Sequence, residues 1–193
     1  MPYAIQQNSK SPFFTLILLL VLAGITAYTM FYRGKSDDAT LIAEDISKLS
    51  RIFERIDEQC EIIDFENQKN PINFLNVKKD GFAGSMVGPM NLAYPENWQG
   101  PYMVQHPTYG GIDYQIVRTD AGYFIAPGDG VTLPNGKVIG KDIMLDEKAD
   151  IEKLMKDDQG LMYKGKAFAA PLMLVPQEHN INFEEEMTAE ELI

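Results

Sequence analysis

The chain begins with a long apolar segment, and an amphipathic segment follows it. Residues 12–32 carry no charged side chain. A helix rises about 1.5 Å per residue, so a helix of this length covers the roughly 30 Å hydrocarbon core of a bilayer. The competing interpretation is a cleaved secretion signal, whose apolar region is usually only about 7–15 residues long. We therefore expect a retained transmembrane helix at residues 12–32, preceded by a flank at residues 1–11.

A stripe of apolar side chains, spaced alternately by four and three residues, predicts an amphipathic helix over residues 37–68. Asp37 and Asp38 place negative charge at its start, and Pro71 ends the helical register. The apolar stripe consists of Ile42, Ile46, Leu49, Phe53, Ile56, Cys60 and Ile63. Its partner is either a sheet in the same chain or the helices of a coiled coil, because the repeat is heptad-like.

Turn residues become frequent in residues 69–175, which we expect to form a loop-rich segment and a small antiparallel β domain. Residues 113–118 and 122–126 alternate like the two strands of a hairpin. Asp146 is placed to cap a helix that runs to about Asp158. The predicted fold class is therefore α+β, with an N-terminal transmembrane helix and a long amphipathic helix packed on a small antiparallel sheet.

The charge of the chain excludes one class of function. Its net charge is −11, with ten acids against three bases in residues 37–66 and six acids without a base in residues 177–193. No basic stripe is available to neutralise phosphates, so we expect no nucleic-acid partner. Residues 176–193 are predicted to be an acidic flexible tail. The acidic composition and the membrane anchor together indicate that the partners are proteins.

Motifs for catalysis and metal binding are missing from the sequence. The two histidines, His106 and His179, have no ligand at metal-site spacing, and Cys60 falls in the apolar stripe. The acids Asp142, Asp146, Glu147 and Asp150 lack the spacing of a calcium-binding EF-hand loop and fit a solvated, capping role. We expect no catalytic residue, no metal and no cofactor. An enzymatic alternative would have to rely on carboxylates such as Asp129 or Asp142.

Two segments resemble one family. Residues 14–21 (FTLILLLV) resemble the FTLIELLVV start of type IV pilins and type II secretion pseudopilins. Residues 97–102 (NWQGPY) resemble the family's Trp-Gly-x-Pro-Tyr element in Trp98, Gly100, Pro101 and Tyr102, with an altered spacing. The family's order of parts is similar too, with a membrane-spanning half-helix, an amphipathic half-helix and a small antiparallel sheet. The resemblance implies a pilin-like fold.

The chain departs from the family pattern at two positions. Phe13 stands where the family has the glycine of its cleavage site, directly before Phe14, and Leu18 replaces a membrane-embedded glutamate. Such a glutamate is costly in lipid unless it pairs with the amine of a processed neighbour, which an unprocessed chain would not provide. The two changes are consistent with each other. They favour a divergent minor component or an unprocessed relative over the main shaft subunit.

The resemblance implies a non-enzymatic, pseudopilin-like subunit of a type II secretion or type IV pilus-like assembly. Its location would be the bacterial inner membrane, in a single pass with the C-terminal domain in the periplasm. Its partners would be the membrane and other pilin-like subunits or secretion components, with the small residues Ala23, Gly24 and Ala27 supporting helix association. The alternative is a membrane-anchored scaffold or binding protein with a coiled-coil stalk, unrelated to filaments.

Overall fold

A computed structural model of the protein describes residues 12–81 and 84–174. The predicted α+β class is confirmed, since a long, initially apolar helix precedes a set of antiparallel strands. The predictions for the flank at residues 1–11 and for the acidic tail at residues 176–193 fall outside the described residues.

The two helical segments expected from the sequence form a single helix. Helix α1 spans Pro12–Cys60, which is 49 residues, and runs unbroken through the polar residues 33–36. The glycine in that stretch, Gly34, costs a helix only about 1 kcal/mol relative to alanine, which is too little to interrupt it. The transmembrane candidate and the amphipathic segment are therefore one continuous helix.

The predicted end of this helix at residue 68 is wrong. Glu61 adopts a left-handed conformation with a φ of 53°, and its N–H donates to the Asp57 carbonyl at 2.8 Å, which closes the helix in an αL cap. The buried Asp57 side chain then accepts from the N–H of Ile62 at 2.8 Å. Strand β1 follows at Ile62–Phe65, so Ile63 belongs to a strand and is 39% exposed.

The remaining strands form three antiparallel groups. They are β2 (Lys69–Pro71), β3 (Met86–Val87), β4 (Met90–Leu92), β5 (Thr108–Tyr109), β6 (Ile112–Thr119), β7 (Gly122–Pro127), β8 (Met162–Tyr163), β9 (Lys166–Ala167) and β10 (Ala170–Leu172). The main sheet has the order β10-β7-β6-β2, with β5 also paired to β6. A second sheet has the order β1-β4-β3, and β8 pairs with β9. The predicted hairpin is confirmed as β6 and β7, which are joined across Asp120 and Ala121.

The helix predicted from Asp146 to about Asp158 is also wrong. Helix α2 covers only Ile151–Leu154, and its cap is Asp150, whose carboxylate accepts from the N–H of Lys153 at 2.9 Å. Asp146 instead accepts from the N–H of Lys148 in a turn. A short 3₁₀ helix at Pro95–Asn97 completes the elements.

The apolar stripe of α1 packs on the sheet of its own chain. Contacts run from α1 to β7, β9 and β10. Its buried members are Ile42, Ile46, Leu49, Phe53, Ile56 and Cys60, whereas Ile63 lies in β1 as described above. The Phe53 ring meets those of Phe65 and Phe74 edge-on, with centroids 6.3 Å and 6.1 Å away. The helix face is therefore part of the hydrophobic core.

A partly buried hydrogen bond joins the amphipathic part of α1 to the main sheet. The hydroxyl of Tyr114 in β6 donates to a carboxylate oxygen of Asp45 at 3.0 Å. Burial, and then the Asp45 carboxylate, raise the pKa of Tyr114 well above its usual value. The phenol thus stays protonated and remains a donor, which fixes the position of α1 along the strands.

Replacing Phe53 with alanine should lower the free energy of unfolding by about 3–5 kcal/mol, because it leaves a cavity among buried rings. The measurement is urea unfolding of the full chain in detergent micelles, followed by the fluorescence of the single tryptophan. The control is Leu41→Ala, at a half-exposed position of α1. This substitution should change the free energy of unfolding by less than about 0.5 kcal/mol. Loss of oligomers at unchanged stability would instead assign the stripe to a coiled coil.

Candidate membrane and assembly surface

The N-terminal part of α1 stands clear of the folded domain. The described side chains of residues 13–30 are all exposed, and the most apolar stretch has a mean hydropathy of 2.2. Phe14 and Leu18, one helical turn apart, are 69% and 51% exposed. By length and composition, α1 is able to span a membrane. An aqueous location would leave this apolar surface in water, at a large free-energy cost.

Three small residues lie together on this exposed part of α1. At about 100° per residue, Ala23, Gly24 and Ala27 fall within an arc of roughly 100°. A Cβ atom added at Gly24 would meet no described atom within 4 Å. Small side chains let two helix backbones approach closely in lipid, where apolar burial gives no net attraction between helices. This arc is therefore the part of α1 best suited to a neighbouring helix, and we call it the small-residue face.

The loop that resembles the family element holds the C-terminal end of α1. Trp98 is fully buried, and its Nε1 donates to the Val77 carbonyl at 3.0 Å. The centroids of the Trp98 and Tyr102 rings are 4.8 Å apart. The Tyr102 hydroxyl donates to the Gln59 side chain at 3.1 Å, and the Asn97 side chain donates to the Gln59 carbonyl at 3.0 Å. The loop fixes where the helix ends, which is a structural role.

Gly100 is required by close contact inside this loop. An added Cβ would lie 2.3 Å from the Val77 carbonyl oxygen and 2.4 Å from Nε1 of Trp98. Pro101, which follows through a cis peptide bond, is exposed. The glycine thus lets the chain pass over the indole that it packs against.

Cys60, the last residue of α1, also has a structural role. Its thiol is free and buried, and its carbonyl accepts from the N–H of Tyr94 at 2.9 Å. Burial, and then the charge of Glu96, raise the pKa of the Cys60 thiol. A buried thiol held in its protonated form is a poor nucleophile, so Cys60 acts as a core residue.

The acids considered for chemistry are used in turns and one ion pair. Asp142 accepts from the N–H of Val138 at 2.9 Å. Asp129 pairs with Lys69 at 2.7 Å and accepts from the Gln115 side chain at 3.3 Å. Within residues 12–81 and 84–174, no three His, Cys, Asp or Glu side chains are grouped to hold a metal ion. These carboxylates stabilise loops of the β domain.

An open groove lies beside α1, on the side of residues 102–108. Its volume is about 660 Å³, and its lining includes Asp45, Lys48 and His106. Val104 on its rim is 91% exposed. Sequence reasoning missed this groove, because the residues on its two sides are more than fifty positions apart in the chain.

Sequence reasoning also missed a contact at the other end of the amphipathic half. The ammonium of Lys164 lies 3.4 Å from the centroid of the Tyr32 ring, at the end of the apolar segment. Tyr28 and Tyr32 stack with centroids 6.0 Å apart. The glycine after Lys164 is typical of a turn, but the sequence does not reveal which helix residue such a turn contacts.

No protein-family model, curated protein or solved structure matches this chain. The resemblance in residues 14–21 and 97–102 and the order of the structural elements are therefore the grounds for assigning a function.

Replacing Gly100 with alanine should lower the free energy of unfolding by about 1–3 kcal/mol, as overpacking in a core does. The matched control is Gly34→Ala in α1, where an added Cβ meets no described atom within 4 Å. That change should be neutral or stabilise the helix by up to about 1 kcal/mol. Urea unfolding followed by Trp98 fluorescence measures both. Equal effects of the two substitutions would contradict the steric role of Gly100.

Proposed function

We propose that this chain is a pseudopilin-like, single-pass protein of the bacterial inner membrane. It acts as a non-enzymatic minor or accessory subunit of a type II secretion or type IV pilus-like assembly. The observation that carries the proposal is the continuity of α1, whose exposed apolar half leads directly into a half packed on an antiparallel sheet. This is the arrangement that the resemblance in residues 14–21 implies.

The two halves of α1 have separate tasks in this function. The apolar half anchors the chain and meets neighbouring helices through the small-residue face. The second half packs its apolar stripe against the sheet and so fixes the orientation of the domain outside the membrane. Association of the helices in lipid thereby sets the positions of the domains relative to one another. The domain is periplasmic in this proposal.

The residues at the start of α1 favour an accessory role. Leu18 is apolar and exposed, so it provides no carboxylate to pair with the terminal amine of a neighbour. Phe13 stands where a cleavage-site glycine would be. A subunit with these two features fits a minor position in an assembly better than the repeated shaft position.

The packing of the stripe argues against the alternative scaffold with a coiled-coil stalk. A coiled coil needs apolar positions that are free to enter a partner helix. Here Ile46, Leu49 and Phe53 are each at most 3% exposed within their own chain. Using them in a seam would require the helix to leave its sheet, at the cost of that burial.

Gly24→Leu should reduce helix association several-fold, because it fills the small-residue face and separates the backbones. The measurement is the yield of cross-linked oligomers of the full chain in native membranes. The matched control is Thr29→Leu, which adds bulk at an exposed position at least about 120° from all three small residues and should leave the yield unchanged. Unchanged cross-linking of the Gly24 variant would contradict assembly through this face.

Processing of the chain is the second test. We expect the protein extracted from native membranes to retain the bond between Phe13 and Phe14, because the glycine that the family peptidase requires is replaced. Intact mass and N-terminal sequencing measure this directly. A chain that begins at Phe14 would contradict the unprocessed form and place the protein among processed pilin-like subunits.

A further inference from the structure

The turn between β8 and β9 reaches α1 where the apolar part of the helix ends. Lys164 and Gly165 form this two-residue turn, and the Lys164 ammonium lies over the Tyr32 ring at 3.4 Å. The ammonium of Lys166 in β9 donates to the Thr40 hydroxyl two turns further along α1. The hairpin therefore lies along the helix from Tyr32 to Thr40, at the membrane-facing end of the domain.

The depth of this contact follows from helix geometry. A helix from Phe13 to Tyr32 is roughly 30 Å long, which equals the thickness of the hydrocarbon core. With that segment in a bilayer, Tyr32 lies at the boundary between hydrocarbon and headgroups. Tyrosine is enriched at that depth, where its ring is apolar and its hydroxyl is wet. Lys164 would then sit at the level of the lipid phosphates.

The backbone at this turn does not explain the presence of a lysine. Lys164 and Gly165 have φ angles of 50° and 76°, as a type I′ turn requires. Asparagine and glycine are preferred in the first position of such a turn, whereas a lysine there is conformationally unfavourable. A lysine at this position therefore costs backbone conformational energy, and we take this cost as a sign that its charge has a function.

Other cations gather at the same end of the domain. Arg33 and Lys35 follow Tyr32 on α1, and Lys35 and Lys164 line one recess of about 320 Å³ with Tyr32 and Asp158. Burial, and then the nearby Asp38 carboxylate one turn further along α1, raise the pKa of Tyr109. The acids of this part of α1, Asp37 and Asp38, lie about one turn further from the apolar segment than Arg33 and Lys35, so an anion at the level of Tyr32 meets the cations first.

We propose that Arg33, Lys35 and Lys164, together with Tyr32, bind the phosphates of anionic phospholipid headgroups. We call these four residues the basic collar. An ammonium held over a tyrosine ring keeps N–H donors for a phosphate oxygen. The collar gives the domain a second membrane contact and holds it on the bilayer surface. This inference rests on the proposed insertion of α1 and goes beyond it.

The test is amide hydrogen exchange of the full chain in nanodiscs of phosphatidylcholine, with or without phosphatidylglycerol. We expect residues 160–168 to exchange several-fold more slowly when the anionic lipid is present. Lys164→Asn should abolish this difference, since asparagine suits the turn but carries no charge. The control Lys79→Gln removes a cation near Gln59, about 40 Å away along α1, and should keep the difference.

The outcomes separate this inference from the proposed function. Equal exchange of the unmodified chain in both lipids would overturn the basic collar. A Lys164→Asn variant that exchanges faster by the same factor in both lipids would also overturn it, because Lys164 would then act only on Tyr32. Flotation of the chain with vesicles after an alkaline wash tests α1 itself. A chain that does not float would refute the membrane anchor and thus the proposed function.

Discussion

Burial of the apolar stripe of α1 against the main sheet is the interaction on which the rest of the structure depends. A fully buried leucine, isoleucine or phenylalanine side chain contributes about 1.5–3 kcal/mol. The stripe places several of them in one core with Phe65 and Phe74, which come from different parts of the chain. A single cysteine cannot form a disulfide within the chain, so this core must hold the domain together. The short strands and the many turns of the domain are stable only because the helix covers their sheet.

Periodicity was enough to predict the helix, its buried face and the hairpin of β6 and β7, because each repeats over several residues. The end of α1 was not visible in the sequence. Ile62 and Ile63 continue the apolar pattern, and the conformation that closes the helix belongs to Glu61, which is not a usual left-handed residue. The length of helix α2 was overestimated because its start was also placed wrongly. Its capping signal lies at Asp150, four residues after the equally suitable Asp146.

The candidate surface was predictable only where it is local in sequence. Composition and length revealed the apolar half of α1, and spacing revealed the small-residue face. Long-range contacts were not accessible in this way. The approach of Lys164 to Tyr32 joins residues far apart in the chain, and it depends on how the β8–β9 hairpin lies along the helix. The loop around Trp98 resembles a family element, yet only its contacts with Gln59 reveal that it holds the end of α1.

The unbroken passage of α1 through residues 33–36 couples two surfaces that serve different environments. A continuous helix sets the angle between the small-residue face and the stripe that is buried on the sheet. One residue inserted between them would rotate the domain by about 100° around the helix axis and move it about 1.5 Å along that axis. An insertion of seven residues, about two helical turns, would bring the angle back to within about 20°. In the proposed assembly, the spacing between Ala27 and Ile42 would therefore set which side of each domain faces its neighbour.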